Sequence, residues 1–250
     1  MTPSGLPPIT VPTQRHCYHQ YEPPRPLDGT SVLDSPSTRP TTVRGQYAMG
    51  LLAPDFPSVD LQMPPQGRLD DDLFFAICQA NRDYRIERNA RGDIRIMPPT
   101  GGLTGKRNSD LIIDLGNWAR CDGRGLVFDS STGFNLPNGA IRSPDAAWVL
   151  RERLERLSEA QRRGFLPLAP DLVIELASPT DAVLALVAKM REYQGNGVQL
   201  GWLILPTQRQ VQVFAAGAEP LCLDRPLSLS DPALLPGLSL NLAGMWRADL

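Results

Sequence analysis

Histidine is almost missing from this chain. His16 and His19 are the only two in 250 residues, and both stand in a proline-rich stretch ahead of the first periodic segment. Ser-His-Asp and Cys-His mechanisms are therefore excluded from the rest of the chain, and so is metal ligation by histidine. Cys17, Cys78, Cys121 and Cys222 lie far apart, with no CxxC spacing. That argues against a zinc site and a disulfide framework, and fits a reducing cytoplasm. No apolar run approaches ~18 residues, so no transmembrane helix is expected. No basic-then-apolar secretory pattern opens the sequence. Charge of one sign is also scarce: the net charge is −2, so no global field draws the protein onto nucleic acid. Lysine is scarcer still. Of 25 basic residues only Lys106 and Lys189 are lysine.

What the chain does contain is proline, and it is unevenly placed. Residues 1–66 hold 13 of the 25 prolines and show no helical or strand period. This span reads as a disordered leader, and 67–250 as the folded domain. Met49 offers a second translation start, which would leave residues 1–48 untranslated. An apolar content of 42% supports a substantial core. Between Arg82 and Arg163 there are 15 basic and 11 acidic residues, about +4, which allows a phosphate-binding face but equally a mixed solvated surface.

Order is expected to begin with a helix opened by Asp70, Asp71 and Asp72, buried along Leu73, Phe74, Ile77 and Cys78, and closed by Asn81. Tyr84–Arg88 and Asp93–Met97 read as a hairpin, with Arg85 and Glu87 on one face. A loop then runs to a helix over Asn108–Arg120. Leu126–Asp129 is a strand, and Pro137-Asn138-Gly139 turns a short hairpin. Ala146–Leu150 and Asp171–Ala177 are buried strands, separated by one charged helix over Arg151–Arg163. Ser178-Pro179-Thr180-Asp181 carries three cues for a helix start. Strands follow at Val198–Leu205 and Val211–Phe214. The pattern predicts a mixed α/β or α+β fold, one central sheet with helices outside.

Two acids interrupt the apolar strands: Asp145 before Ala146–Leu150, and Glu175 inside Asp171–Ala177. A buried carboxylate is costly unless it is paired or bound to metal. Two close carboxylates repel, and Mg²⁺ relieves this while keeping several waters of its own. Structural alternatives stay open, with Asp145 as a strand-end cap and Glu175 paired to an arginine. Lys189 stands 14 residues after Glu175 on the following helix, where an ammonium could orient or deprotonate water. Lysine can shift its pKa on burial and arginine hardly can. A solvated pair with Glu192 is the other reading. Glu87 is a candidate third acid, and Tyr193 either packs over the site or closes the core. Thr100-Gly101-Gly102-Leu103-Thr104-Gly105-Lys106-Arg107 misses the phosphate-loop pattern twice, at Thr100 and Arg107, so Lys106 and Arg107 read as flexible-loop residues or DNA-phosphate contacts.

PDAAWV, APDLVIELASPTD and KMREYQGNGVQLGWLI resemble the signature blocks of the Uma2 family, within the PD-(D/E)xK restriction-endonuclease-like superfamily. NRDYRIERNARGDIRIMPPTGG resembles that family's opening, so the likeness spans roughly residues 67–245. It implies a restriction-endonuclease-like core and a Mg²⁺ or Mn²⁺ site. Asp145 matches the PD aspartate and Glu175 the second acid. Glu87 resembles the upstream acid, and Lys189 a lysine moved from strand to helix. Two positions depart. The superfamily's lysine two residues after the acid falls on Ala177, and a histidine found in many members near the second helix is replaced by Lys106, Arg107 and Asn108.

The resulting expectation is a cytoplasmic metal-dependent endodeoxyribonuclease, with Asp145, Glu175 and Glu87 as metal ligands and Lys189 serving water. DNA is the expected partner, a membrane is not, and a homodimer is compatible with the sequence. Two alternatives stay open: a nucleic-acid-binding module that kept the fold and lost catalysis, and a transposon-associated or toxin-like protein needing a partner subunit.

Overall fold

A computed structural model describes residues 58–247. The leader reading over 1–57, Met49 and both histidines lie outside the described residues. Residues 58–66, also assigned to the leader, are structured. Strand β1 (Val59–Leu61) pairs antiparallel with β3 (Ile94–Met97) in the register Val59↔Ile96. All three of its residues are exposed, so it leaves no burial period to read.

Helix α1 (Asp71–Ala80) forms where the acids predict it. The Asp70 side chain accepts the Leu73 N–H at 2.7 Å, Phe74 is buried, and Asn81 caps the end. Strands β2 (Arg85–Arg88) and β3 make the expected hairpin. At its turn Asn89 Oδ1 accepts the N–H groups of Arg91 and Asp93, and Gly92 sits at φ 99°, a region only glycine enters without strain.

Helix α2 (Gly102–Asp122) is longer than its sequence shows, starting at Gly102 rather than Asn108. Gly101, Gly102 and Gly105 conceal the first turns because glycine is a poor helix former. This corrects the reading of Lys106 and Arg107. Lys106 pairs with Asp110 one turn on at 2.7 Å, and Arg107 is buried with its guanidinium on the backbone oxygen of Arg247. Neither stands in a flexible loop.

The strands divide into more than the one sheet expected. A six-stranded sheet runs β11-β10-β9-β8-β7-β4, and a five-stranded one runs β1-β3-β2-β6-β5. The larger sheet contains β4 (Gly125–Asp129), β7 (Ala146–Leu150), β8 (Leu172–Leu176), β9 (Leu200–Leu205), β10 (Gln210–Ala215) and β11 (Leu221–Asp224). The smaller adds β5 (Phe134–Asn135) and β6 (Ile141–Arg142) to the hairpin. A separate pair, β12 (Ser228–Leu229) with β13 (Leu240–Asn241), lies in the tail. The single charged helix predicted over 151–163 is two short ones, α3 (Arg151–Glu155) and α4 (Glu159–Arg163). Ser158 breaks it by forming a reciprocal capping box with Gln161.

In the large sheet only β8 and β9 are parallel, and α5 (Val183–Gly195) makes the crossover between them. Its N-cap is Ala182, four residues later than the Ser178 cue indicates. Asp181 does accept the Ser178 N–H, at 2.8 Å, but the box closes only a turn. Because side chains alternate along a strand, β7 and β8 each feed two layers. Ala146, Trp148, Leu172, Ile174 and Leu176 pack with Leu111 and Leu115 of α2. Ala147, Val149, Val173 and Ala177 pack on the opposite face with Met190 and Tyr193 of α5. Among the described residues no helix is long and apolar enough to cross a membrane.

Candidate active site

The same alternation fixes where the acids point. Asp145 precedes Ala146 and Glu175 precedes Leu176, so both belong to the α5 face of the sheet. Strands β7 and β8 pair with Ala146 opposite Ile174. One residue further, that register carries Asp145 to the Glu175 end of β8, and the Leu176 N–H donates to Asp145 Oδ2 at 2.8 Å. Two acids 30 residues apart in sequence thus meet at one strand end.

Helix α5 covers this face and delivers two groups one turn apart. Lys189 Nζ lies 2.7 Å from Glu175 Oε1 and 2.8 Å from Glu87 Oε1. Tyr193 donates its hydroxyl to Glu175 Oε1 at 3.0 Å and is fully buried. The pairing of Lys189 with Glu192 is not formed; Glu192 instead accepts Arg142 Nε at 2.6 Å. Ala177 lies on the same face as Glu175 and is buried. The amine absent from that position therefore reaches Glu175 from the helix above.

Glu87 arrives from the smaller sheet. Strand β2 pairs with β6 at Arg88↔Ile141, and β6 runs through Ser143 and Pro144 into Asp145 and β7. Glu87 is not the surface residue its arginine neighbours imply, since it is 1% exposed. It accepts the Ser143 N–H at 3.0 Å and Arg142 Nη1 at 3.2 Å, besides Lys189. Arg85, two residues earlier on the same strand face, donates Nη1 to Asp145 Oδ1 at 2.7 Å.

These surroundings set two buried glutamates apart. Burial would push the Glu87 carboxyl up, but Lys189, Arg142 and Arg85 outweigh it and hold the pKa at about 2. Glu175 goes the other way. Burial raises it to about 7; Lys189 opposes this, and the charges of Asp145 and Glu87 reinforce it. Tyr193 is pushed well up by burial and by Glu175.

Arg85, Glu87, Ser143, Asp145, Glu175 and Lys189 open on a cleft of about 1180 Å³ that is also lined by Arg82, Arg95, Gly101 and Gly102. Among the described residues no group of three or more His, Cys, Asp or Glu is arranged to hold a metal ion. The three-acid cage expected of Glu87, Asp145 and Glu175 is therefore not formed, because Glu87 is taken up by Lys189, Arg142 and Ser143. Asp145 and Glu175 by themselves fit a small divalent cation that keeps its own waters. They are hard oxygen donors on one face at an open cleft, and Glu175 lacks enough positive charge to ionise readily. Sequence reasoning located Asp145, Glu175, Lys189, Glu87 and Tyr193 but missed Arg85, Arg142 and the Ser143 N–H. Arg85 had a usable signal, the strand face it shares with Glu87. The other two depend on the β2–β6 pairing.

A mixed sheet with α2 packed on one face and α5 on the other is the architecture of a restriction-endonuclease-like core. The family model for Uma2, described as "Putative restriction endonuclease", matches residues 71–243, and the chain belongs to that family. Among solved structures the chain is similar to a crystal structure described as "a putative nuclease belonging to DUF820 from Anabaena variabilis ATCC 29413". The two share 20% identity at a TM-score of 0.55, covering 64% of this chain and 89% of that one, a likeness of fold. A comparison with curated proteins finds no match.

Proposed function

We propose that this protein is a Mg²⁺-dependent endonuclease hydrolysing DNA phosphodiester bonds, with Asp145 and Glu175 as the cation's ligands. The observation that carries the reading is the meeting of these two carboxyls on one sheet face, with Lys189 Nζ 2.7 Å from Glu175. A bound Mg²⁺ would polarise a phosphoryl oxygen and lower the pKa of its water. Lys189 is held between Glu87 and Glu175, so its ammonium is fixed at the cleft floor to orient the attacking water or receive charge on the phosphate. Glu87 is a positioning residue here: it anchors Lys189 and Arg142. Tyr193 fixes the Glu175 carboxyl. Arg82, which lines the cleft, would meet the nucleic-acid backbone there.

Purified protein is expected to nick supercoiled plasmid in Mg²⁺ and not in EDTA. Asp145→Ala is expected to abolish nicking, and cleavage by this variant at the wild-type rate would falsify the assignment. Lys189→Met should lower the rate by about 10²-fold or more, in the range of a positioned proton-transfer group.

One observation favours a second reading. Ala177 occupies the position where the superfamily carries its lysine. A module that binds nucleic acid without cutting it would show salt-sensitive binding and no cleavage with Mg²⁺ or Mn²⁺.

A further inference from the structure

Asp145 has two carboxylate oxygens, and each has one hydrogen-bond partner among the described residues. Oδ2 is fixed by the Leu176 N–H at 2.8 Å, a backbone contact that the β7–β8 pairing holds in place. Among the described residues Oδ1 accepts only Arg85 Nη1, at 2.7 Å. A divalent cation approaching Oδ1 would compete with the Arg85 guanidinium, whose positive charge already lies 2.7 Å from that oxygen. The rest of the Arg85 guanidinium is weakly held. Its Nε and Nη2 lie 3.4 and 3.3 Å from Met97 Sδ, and a thioether is a poor acceptor. The side chain is 30% exposed and lines the cleft. Asp145 is thus the one strong anchor of a five-donor fork that faces the substrate space.

We propose that Arg85 is an exchangeable counter-cation: it neutralises Asp145 until a divalent cation binds, and is then released to grip a phosphate oxygen of the substrate strand. This rests on the reading of Asp145 and Glu175 as metal ligands. The exchange breaks one N–H···O contact and forms another, and Arg85 stays charged throughout. Its consequence is linkage: the cation strengthens nucleic-acid binding by unlocking an arginine as well as by its own charge, and nucleic acid strengthens cation binding equally. A guanidinium suits this task because its fork matches a phosphate in two directions at once.

The test uses the full chain, Arg85→Met and Arg85→Lys, with thermal melts of each. Mn²⁺ binding is followed by calorimetry, and binding of a short DNA duplex by fluorescence anisotropy in EDTA and in Mg²⁺ over a salt series. Arg85→Met should bind Mn²⁺ about 5-fold or more tighter than wild type, because the competitor is gone. In Mg²⁺ its slope of log affinity on log salt should fall by about one phosphate contact, with the EDTA slope unchanged. Arg85→Lys should bind Mn²⁺ with near wild-type affinity, since charge is retained, yet lose duplex affinity in Mg²⁺. Unchanged or weaker Mn²⁺ binding by a folded Arg85→Met, or an equal loss of slope in both media, would overturn the exchange. If Arg85→Met does not fold, Arg85→Lys decides alone: wild-type duplex affinity in Mg²⁺ overturns the proposal. Failure of the parent reading looks different, as wild type itself would then bind no Mn²⁺ and Asp145→Asn would match it.

Discussion

Glu87 and Glu175 share one ammonium yet hold their protons in opposite ways, and the cause is who else stands nearby. Glu87 has Arg142 and a backbone N–H in addition to Lys189; Glu175 has a neutral phenol and two further acids. Removing the Glu87 charge leaves Arg142 and Lys189 buried with one partner fewer. Glu87→Gln is therefore expected to cost about 3–5 kcal/mol, read from denaturant midpoints. The pH dependence follows from linkage. The folded-state pKa of Glu87 is held at about 2 against an ordinary 4.5, so the folded protein gives up this carboxylate less readily than the unfolded chain. Its stabilisation is fully present above pH 4.5 and is lost as pH falls toward about 2. The gap in midpoint between wild type and Glu87→Gln should accordingly narrow over that window; a constant gap would show that the ion pairs are not its source. Asp145 and Glu175 were legible as two charges in apolar strands, and Glu87 only as a candidate third acid. The environment of each was not, because Glu87 looks like its flanking arginines until β6 places Arg142 and Ser143 against it.

At the scale of elements, the site depends on β7, β8 and α5 keeping their registry. Strand β7 is held on its outer side by β4, and the fit there is tight. A Cβ on Gly125 would stand 2.3 Å from the Trp148 ring, which is wedged by Trp118 at 5.5 Å. Gly125→Ala should destabilise by about 1–3 kcal/mol, as overpacking does, with the loss visible in the thermal midpoint and a shift in tryptophan emission. Most elements were readable from period and caps. Asp70 opened α1, the Asn-Gly turn placed the short hairpin, and Leu172-Val173-Ile174 marked a strand buried on both faces. Misreadings fell where local cues had two uses. Ser178 and Asp181 make a turn rather than a cap, Ser158 splits a charged stretch, and a glycine-rich run proved to be the first turns of α2.

The whole molecule closes its α2 layer with the C-terminal tail. Leu229, Leu235, Leu238, Leu240, Leu242 and Met245 are all buried against the large sheet and α2. Each such side chain contributes about 1.5–3 kcal/mol on burial, so the tail's total is comparable to the net stability of a domain. Deletion of residues 227–250 should therefore abolish cooperative thermal unfolding, checked by calorimetry; a sharp transition near the wild-type midpoint would show the layer to be self-sufficient. In sequence the chain from Glu219 onward reads only as turns with short apolar runs. The sequence by itself determined the mixed class and most strands and singled out the acids and the lysine as candidates, because burial periods, caps and charge cost are local quantities, and its motif blocks carried the resemblance to the family. Only the tertiary structure decided that the strands of the site divide between two sheets, that β6 joins these beside Asp145, and that Glu87 grips Lys189 and Arg142 while Arg85 sits on Asp145. Those are pairings between distant segments, and which strand edge meets which is settled by the total packing rather than by any one stretch of chain.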